Sequence, residues 1–190
     1  MDDDGKKHAF IQVLDGKNKT SDYHRFGWSD FYAKPGSLDV SIGNSRFTES
    51  LIDLNLQGIE GQIIITGNVP WPKPFYSPGI MGPFAFVPFM ECYHGIVSMD
   101  HEISGKIKIA GEVIDFSGGR GYIEKDWGQS FPSAYVWMQT NHFSQTGVSF
   151  KASVAKIPWF RSAFVGFIAG LWFDNRLYRF TTYNQTRLLK

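Results

Sequence analysis

Isoleucine alternates with other residues in two segments of the chain, and this alternation restricts both to β-structure. Residues 59–67 and residues 103–111 both follow the pattern I-x-G-x-I-x-I-x-G. A period of two places the three isoleucines of each segment on one face of a strand. The internal glycine on that face marks a point where a strand bends or another backbone approaches closely. The match predicts either an internal repeat or two strands that meet the same local requirement.

Shorter patterns elsewhere also predict strands joined by turns. Residues 69–89 are rich in proline, glycine and aromatic side chains, which excludes a central strand and predicts an ordered loop at a pocket mouth. Antiparallel strands at this spacing predict an all-β fold, a barrel or a sandwich, as a single domain over residues 1–190. The expected strands cover residues 10–14, 39–42, 46–56, 122–127, 134–143, 148–157, 164–173 and 177–183.

Composition narrows the possible partners. Aromatic residues make up 16% of the chain and charged residues only 19%, which favours an apolar interior. The net charge is +1 and the basic residues are scattered, so no nucleic-acid-binding surface is expected. A single cysteine, Cys92, excludes an internal disulfide. The polar N-terminus predicts no signal peptide, and the most apolar run, residues 163–173, is too short for a transmembrane helix. The chain is therefore expected to be cytoplasmic, with peripheral membrane contact left open.

Two long and unusual runs carry a family resemblance. They are SPGIMGPF at residues 77–84, continued by FVPFMECYHG at 86–95, and GGRGYIEKDWG at 118–128, followed by SFP at 130–132. With WMQ at 137–139 and NHF at 141–143, the chain resembles the tocopherol cyclase family over nearly its whole length. Since family members are longer at both ends, the chain looks like their middle. The resemblance implies an incomplete lipocalin-like barrel or sandwich that holds an apolar or amphipathic small molecule.

The resemblance further implies an isomerase that closes a ring on a prenylated quinol or a related isoprenoid by acid catalysis. Such chemistry requires an acid protonated near neutral pH and a water-poor pocket, but no redox cofactor or metal. Asp126 is the leading candidate, because Tyr122, Glu124 and Asp126 share one strand face and two carboxylates resist joint ionisation. The alternative is a solvated charge cluster beside a turn.

Glu91 is the second candidate for the catalytic acid, because it follows the apolar residues 84–90. Its alternative is a structural salt bridge, for example to Arg120. Asp100 and Glu102 lie in a more polar stretch and are expected at the surface. Glu91, His94 and His101 have no recognised metal-ligand spacing, so no metal site is predicted.

Polar and aromatic side chains near these acids are candidates for ligand binding. Histidine could orient a phenol, tryptophan could stabilise a cation, and amides could bind a polar head group. Ordinary packing is the alternative for each of them, and a non-catalytic lipocalin-like carrier or a carbohydrate-binding domain is the alternative for the whole chain. Cys92 and His94, two apart in a strand, are expected beyond hydrogen-bond reach. The candidate binding residues are Tyr93, His94, Trp127, Trp137, Gln139, Asn141 and His142.

Overall fold

The computed structural model describes residues 5–88, 90–159 and 162–187. Across these residues the regular structure is strands and short 3-10 segments, so the all-β antiparallel prediction is confirmed. In the same residues no helix is long and apolar enough to cross a membrane. The chain divides into two compact units, Met1–Thr66 with Ile103–Gly119 (unit 1) and Gly67–Glu102 with Arg120–Lys190 (unit 2). The expectation of one domain over residues 1–190 stays a prediction.

Unit 1 is built from short antiparallel strands. Strands β1 and β2 form a hairpin, strands β3 to β7 pair in chain order, and the second part of the long strand β8 lies beside β7 and pairs with β9. The bounds are β1 His8–Asp15, β2 Thr20–Gly27, β3 Phe31–Ala33, β4 Asp39–Ile42, β5 Ser45–Thr48, β6 Leu51–Leu56, β7 Ile59–Thr66, β8 Cys92–Ile109 and β9 Glu112–Asp115, with a 3-10 segment at Trp28–Asp30.

The prediction of one strand over residues 46–56 is wrong, because β5 and β6 form a hairpin there. Phe47 pairs with Ile52 across it. The turn is built by Thr48, whose Oγ1 accepts hydrogen bonds from the backbone N–H of Ser50 at 3.2 Å and of Leu51 at 2.9 Å. A side-chain hydroxyl thus makes a turn that contains neither glycine nor proline.

The two isoleucine segments lie against each other. Ile59 and Ile107 are buried in one apolar cluster, which confirms the predicted faces. Gly61 and Gly105 have φ angles of +142° and +130°. A Cβ at Gly61 would overlap the carbonyl oxygen of Lys106, and one at Gly105 would overlap that of Gln62. The matching glycines are therefore explained by the close approach of the two strands to each other.

Unit 2 contains the first part of β8 and five further strands. Strand β10 lies beside β8, and β11 to β14 form a four-stranded antiparallel sheet in chain order. The bounds are β10 Gly119–Gly128, β11 Tyr135–Thr140, β12 Ser149–Trp159, β13 Ser162–Phe173 and β14 Arg176–Thr181, with 3-10 segments at Gly82–Phe86 and Thr182–Asn184.

The proline-rich stretch before β8 is an ordered part of the core of unit 2. Trp71, Ile80 and Met81 are buried there with Ile96 from β8. The hydroxyl of Tyr183 donates to the carbonyl oxygen of Ile80 at 2.8 Å. This confirms the expectation of an ordered loop, which supplies apolar side chains that the strands alone do not provide.

Candidate functional site

Two cavities in unit 2 meet at His94. The wide cavity has a volume of about 370 Å³, and the narrow cavity has a volume of about 60 Å³. His94, Pro132, Ser153 and Ala155 line both of them. The wall of the wide cavity also includes Glu124, Asp126, Phe131, Tyr135 and Trp137, whereas that of the narrow cavity is mostly apolar and includes Met81, Phe84, Met90, Ile157, Phe164 and Phe167.

Neighbouring strands bring an imidazole and two carboxylates together at this point. His94 lies on β8, and Glu124 and Asp126 lie on β10, two residues apart and therefore on one face. The Nδ1 atom of His94 is 2.5 Å from Oδ1 of Asp126 and 3.4 Å from Oε1 of Glu124. The predicted shared face of the two carboxylates forms part of the wall of the wide cavity, where the Glu124 side chain is 9% exposed and the Asp126 side chain 31% exposed.

Glu124 is held by several donors at once. It accepts hydrogen bonds from the hydroxyl of Tyr122 and from Nε1 of Trp137, at 3.1 and 3.2 Å to its two oxygens. Burial raises the pKa of the Glu124 carboxyl, but the hydrogen bond with His94, the charge on Lys151 and the other donors outweigh burial and lower it. Glu124 is therefore ionised near neutral pH and is not a carboxyl kept neutral by its neighbour.

The imidazole of His94 is the group whose protonation this arrangement favours. Burial lowers the pKa of His94, but hydrogen bonds to Asp126 and Glu124 outweigh that effect, and the net shift is upward. Tyr122 stays a neutral donor, because burial and the charge on Glu124 raise the pKa of its phenol. The site therefore holds an acidic proton close to two carboxylates.

Lys151 is a member of the site that the sequence analysis missed. Its side chain is 0% exposed, and its Nζ donates to Oγ of Ser153 at 3.1 Å and lies 3.8 Å from Oε1 of Glu124. Burial lowers the pKa of Lys151 by more than the negative charges of Glu124 and Asp126 raise it. A signal was present, since Ser149, Lys151 and Ser153 share one face of β12, but a polar face suggests solvent when no partner is known.

Glu91 lies in the wall of the narrow cavity, which His94 also lines. Its carbonyl oxygen accepts hydrogen bonds from the backbone N–H of Gln129 at 2.9 Å and of Ser130 at 3.2 Å. The suggested partner of Glu91, Arg120, instead contacts Asp100 and Glu102.

The surface position expected for Asp100 is wrong, because its side chain is 1% exposed. The buried carboxylate is paired with Arg120. The same expectation is confirmed for Glu102, whose side chain is 71% exposed.

Several predicted binding residues lie elsewhere in unit 2. Tyr93 and Trp127 alternate with His94 and Asp126 and so take the opposite strand face, where their rings stack at 5.6 Å and 11°. Strand β11 ends at Thr140, so the expected extension to Asn141 and His142 is absent. Of the candidate binding residues, His94 and Trp137 line the wide cavity, whereas Tyr93, Trp127, Gln139, Asn141 and His142 are not part of the described wall of either cavity.

The thiol of Cys92 lies close to His94 and Asp126. The ligand atoms of Cys92, His94 and Asp126 are all within 4.8 Å of one another. Burial, followed by the charges of Asp126 and Glu124, raises the pKa of the Cys92 thiol. Cys92 and His94 lie two apart on β8 and share a face, which explains their convergence on Asp126.

Comparisons with known proteins show which family the chain resembles. A family model described as tocopherol cyclase-like matches residues 57–188. A protein of Oryza sativa subsp. japonica named probable tocopherol cyclase, chloroplastic, is 28% identical over 111 residues, which cover 55% of this chain and 23% of the rice protein. The chain therefore spans only part of that relative's length. No solved structure matches significantly.

Proposed function

Because the chain belongs to the tocopherol cyclase-like family, we propose that unit 2 closes a ring on a prenylated quinol or a related isoprenoid by acid catalysis. The observation that carries this proposal is the contact of 2.5 Å between His94 Nδ1 and Asp126 Oδ1 in the wall of a 370 Å³ cavity. A cavity of this size lies in the range of small-molecule sites.

The proton held between His94 and Asp126 is the one transferred. It adds to one carbon of the prenyl double bond, so a C–H bond forms, the π bond breaks and the other carbon becomes a tertiary cation. The phenol oxygen attacks that cation and forms the C–O bond of the new ring. The phenol proton then returns to the pair. Substrate and product are isomers, and the step consumes no oxidant or reductant.

The two cavities suit the two ends of such a molecule. Tyr135 and Trp137 line the wide cavity together with the acid pair. Both side chains are about half exposed, and a cation over an exposed ring gains about 0.5–1 kcal/mol, roughly two- to five-fold in rate. The narrow cavity, with Phe164 and Ile157 in its wall, suits part of an apolar chain. The partner proposed here is therefore an apolar or amphipathic small molecule.

A carrier without catalysis is the second candidate, and the apolar wall of the narrow cavity favours it. In a carrier, His94, Asp126 and Glu124 would form a structural ion pair at the cavity wall. Ligand would then bind and be released unchanged.

The test is incubation with a prenylated quinol, followed by chromatography with mass detection, because a ring-closed product has the same mass as its substrate and a different retention time. We expect Asp126→Asn and His94→Gln each to lower the rate by about 10²–10⁴-fold, the usual contribution of a positioned acid. Asp22→Asn, at an exposed position of β2 in unit 1, is the matched control and should leave the rate unchanged.

The outcomes separate the candidates. A rate that falls with Glu91→Gln and not with Asp126→Asn would transfer the role of acid to Glu91. Ligand that is retained without product in the unmodified chain would indicate a carrier. Neither binding nor product would contradict both proposals.

A further inference from the structure

We propose that Cys92, His94 and Asp126 form a binding site for a divalent transition-metal ion of the Zn²⁺ type, open to the wide cavity. The proposal starts from geometry, since the three ligand atoms all lie within 4.8 Å of one another. In a tetrahedral zinc site, bonds of about 2.0–2.3 Å place neighbouring ligand atoms about 3.5 Å apart. Side-chain rotations of about 1 Å would complete the site, by bringing the most distant pair closer and by separating His94 Nδ1 from Asp126 Oδ1, which are 2.5 Å apart.

The donor set points to this class of ion. One thiol, one imidazole and one carboxylate are the ligands that Zn²⁺ and Co²⁺ accept together, whereas Mg²⁺ and Ca²⁺ prefer oxygen alone. Three protein ligands leave a fourth position open, as in zinc sites that bind a further ligand. His94 and Asp126 line the wide cavity, and Cys92 and His94 line the narrow one, so the ion can be reached.

A further carboxylate lies beside the proposed ligands. Glu124 Oε1 is 3.4 Å from Nδ1 of His94, and Glu124 is itself held by Tyr122 and Trp137. Because this contact is to the nitrogen that would bind the ion, Glu124 does not orient the ring through its other N–H, which is the usual role of a carboxylate beside a zinc-bound histidine. Its contribution is a negative charge beside the proposed ligands, which favours a cation there.

An ion at this site would compete with the acid pair. It would take atoms of His94 and Asp126 that otherwise hold the transferable proton, so bound metal should inhibit ring closure. This consequence depends on the proposed function, whereas metal binding itself does not.

Cobalt titration of the untagged chain tests the site directly. Because Cys92 is the only cysteine, any thiolate-to-cobalt absorption band reports on this site alone. We expect the band to saturate at one Co²⁺ per chain and to be reversed by Zn²⁺. It should be lost in Cys92→Ser, and its midpoint should move to a higher cobalt concentration in Glu124→Gln, which removes a negative charge beside the ligands. His142→Gln, at an exposed position, is the matched control and should titrate like the unmodified chain.

The decisive variants are His94→Gln and Asp126→Asn. If the band keeps its intensity and midpoint in both, the thiol binds cobalt without them and the proposed site is wrong. An unmodified chain without any band would overturn it equally, and that measurement does not depend on any variant folding. If cobalt binds as expected but no quinol is ever converted, the metal site stands and the cyclase proposal fails.

Discussion

Two charged clusters on strands β8 and β10 of unit 2 each pair a basic side chain with a carboxylate, but their surroundings differ. The closed cluster pairs Asp100 with Arg120, and the open cluster pairs His94 with Asp126. The residues are six positions apart on each strand (94 to 100 and 120 to 126), an even separation that keeps both clusters on one face. Their difference therefore lies in what surrounds them.

In the closed cluster, Arg120 is paired with the two carboxylates beside it. Arg120 donates from Nε and Nη2 to the two carboxylate oxygens of Asp100, and its Nη1 lies 3.3 Å from Oε1 of Glu102. His101 beside it is buried, with Nδ1 3.1 Å from Oγ of Ser98, and burial lowers the pKa of its imidazole. In the open cluster the pKa of His94 moves upward instead, and the pair faces a cavity. Charged groups that face a cavity can exchange a proton or a ligand, whereas a saturated buried pair stabilises the fold.

Removing the arginine of the closed cluster should have the largest effect on stability. Arg120→Met leaves Asp100, 1% exposed, as a buried charge without its partner, and such losses cost about 3–5 kcal/mol. Arg46→Met is the matched control, because Arg46 pairs with Asp39 at the surface of unit 1 and exposed pairs contribute little to stability. Urea unfolding followed by tryptophan fluorescence gives both values. Equal losses would show that the Asp100 pair is no more structural than a surface pair.

Enlarging one small side chain in each cluster should show how differently the two clusters are packed. A Cβ at Gly121 would overlap Nε2 of buried His101, so Gly121→Ala should cost about 1–3 kcal/mol as an overpacked site. Ala155→Val adds its methyl groups beside the cavities of the open cluster and should cost less than about 1 kcal/mol. Urea unfolding again provides the measurement. A tolerated alanine at residue 121 would mean that the closed cluster has space for rearrangement.

Local signals were sufficient for most strands and for half of the open cluster. Period-two alternation predicted the isoleucine faces of β7 and β8 and the shared face of Glu124 and Asp126, because these patterns depend only on neighbours in sequence. The hairpin turn at residues 49–50 was not predicted, because it depends on a threonine hydroxyl instead of a glycine.

Pairing across strands could not be predicted in the same way. His94 meets Asp126 32 positions away, and Asp100 meets Arg120 20 positions away. Alternation tells which residues share a face, but it does not tell which strand lies opposite or which face is inward. For the same reason Asp100 was expected at the surface and Lys151 was overlooked, although both are buried charges with partners on other strands.

The smallest change in stability is expected for His94→Gln, and its dependence on pH tests whether His94 is charged in the folded protein. Its folded pKa lies above the unfolded value of about 6.5, so its pairing stabilises the fold fully below about pH 6.5 and is lost as pH rises through the folded pKa. The groups that face it are Asp126 and Glu124 from β10, Lys151 from β12 and Cys92 from its own strand. His94→Gln should therefore cost about 1 kcal/mol near pH 6, the usual net contribution of an intramolecular hydrogen bond, and less near pH 9.

Urea unfolding of both proteins at the two pH values isolates this contribution, because every other titrating group is common to them. A cost for His94→Gln that is equal at both pH values would mean that folding leaves the pKa of the imidazole unchanged. The open cluster would then not favour the charged imidazole, and the acid role proposed for the His94–Asp126 pair would lose its physical basis.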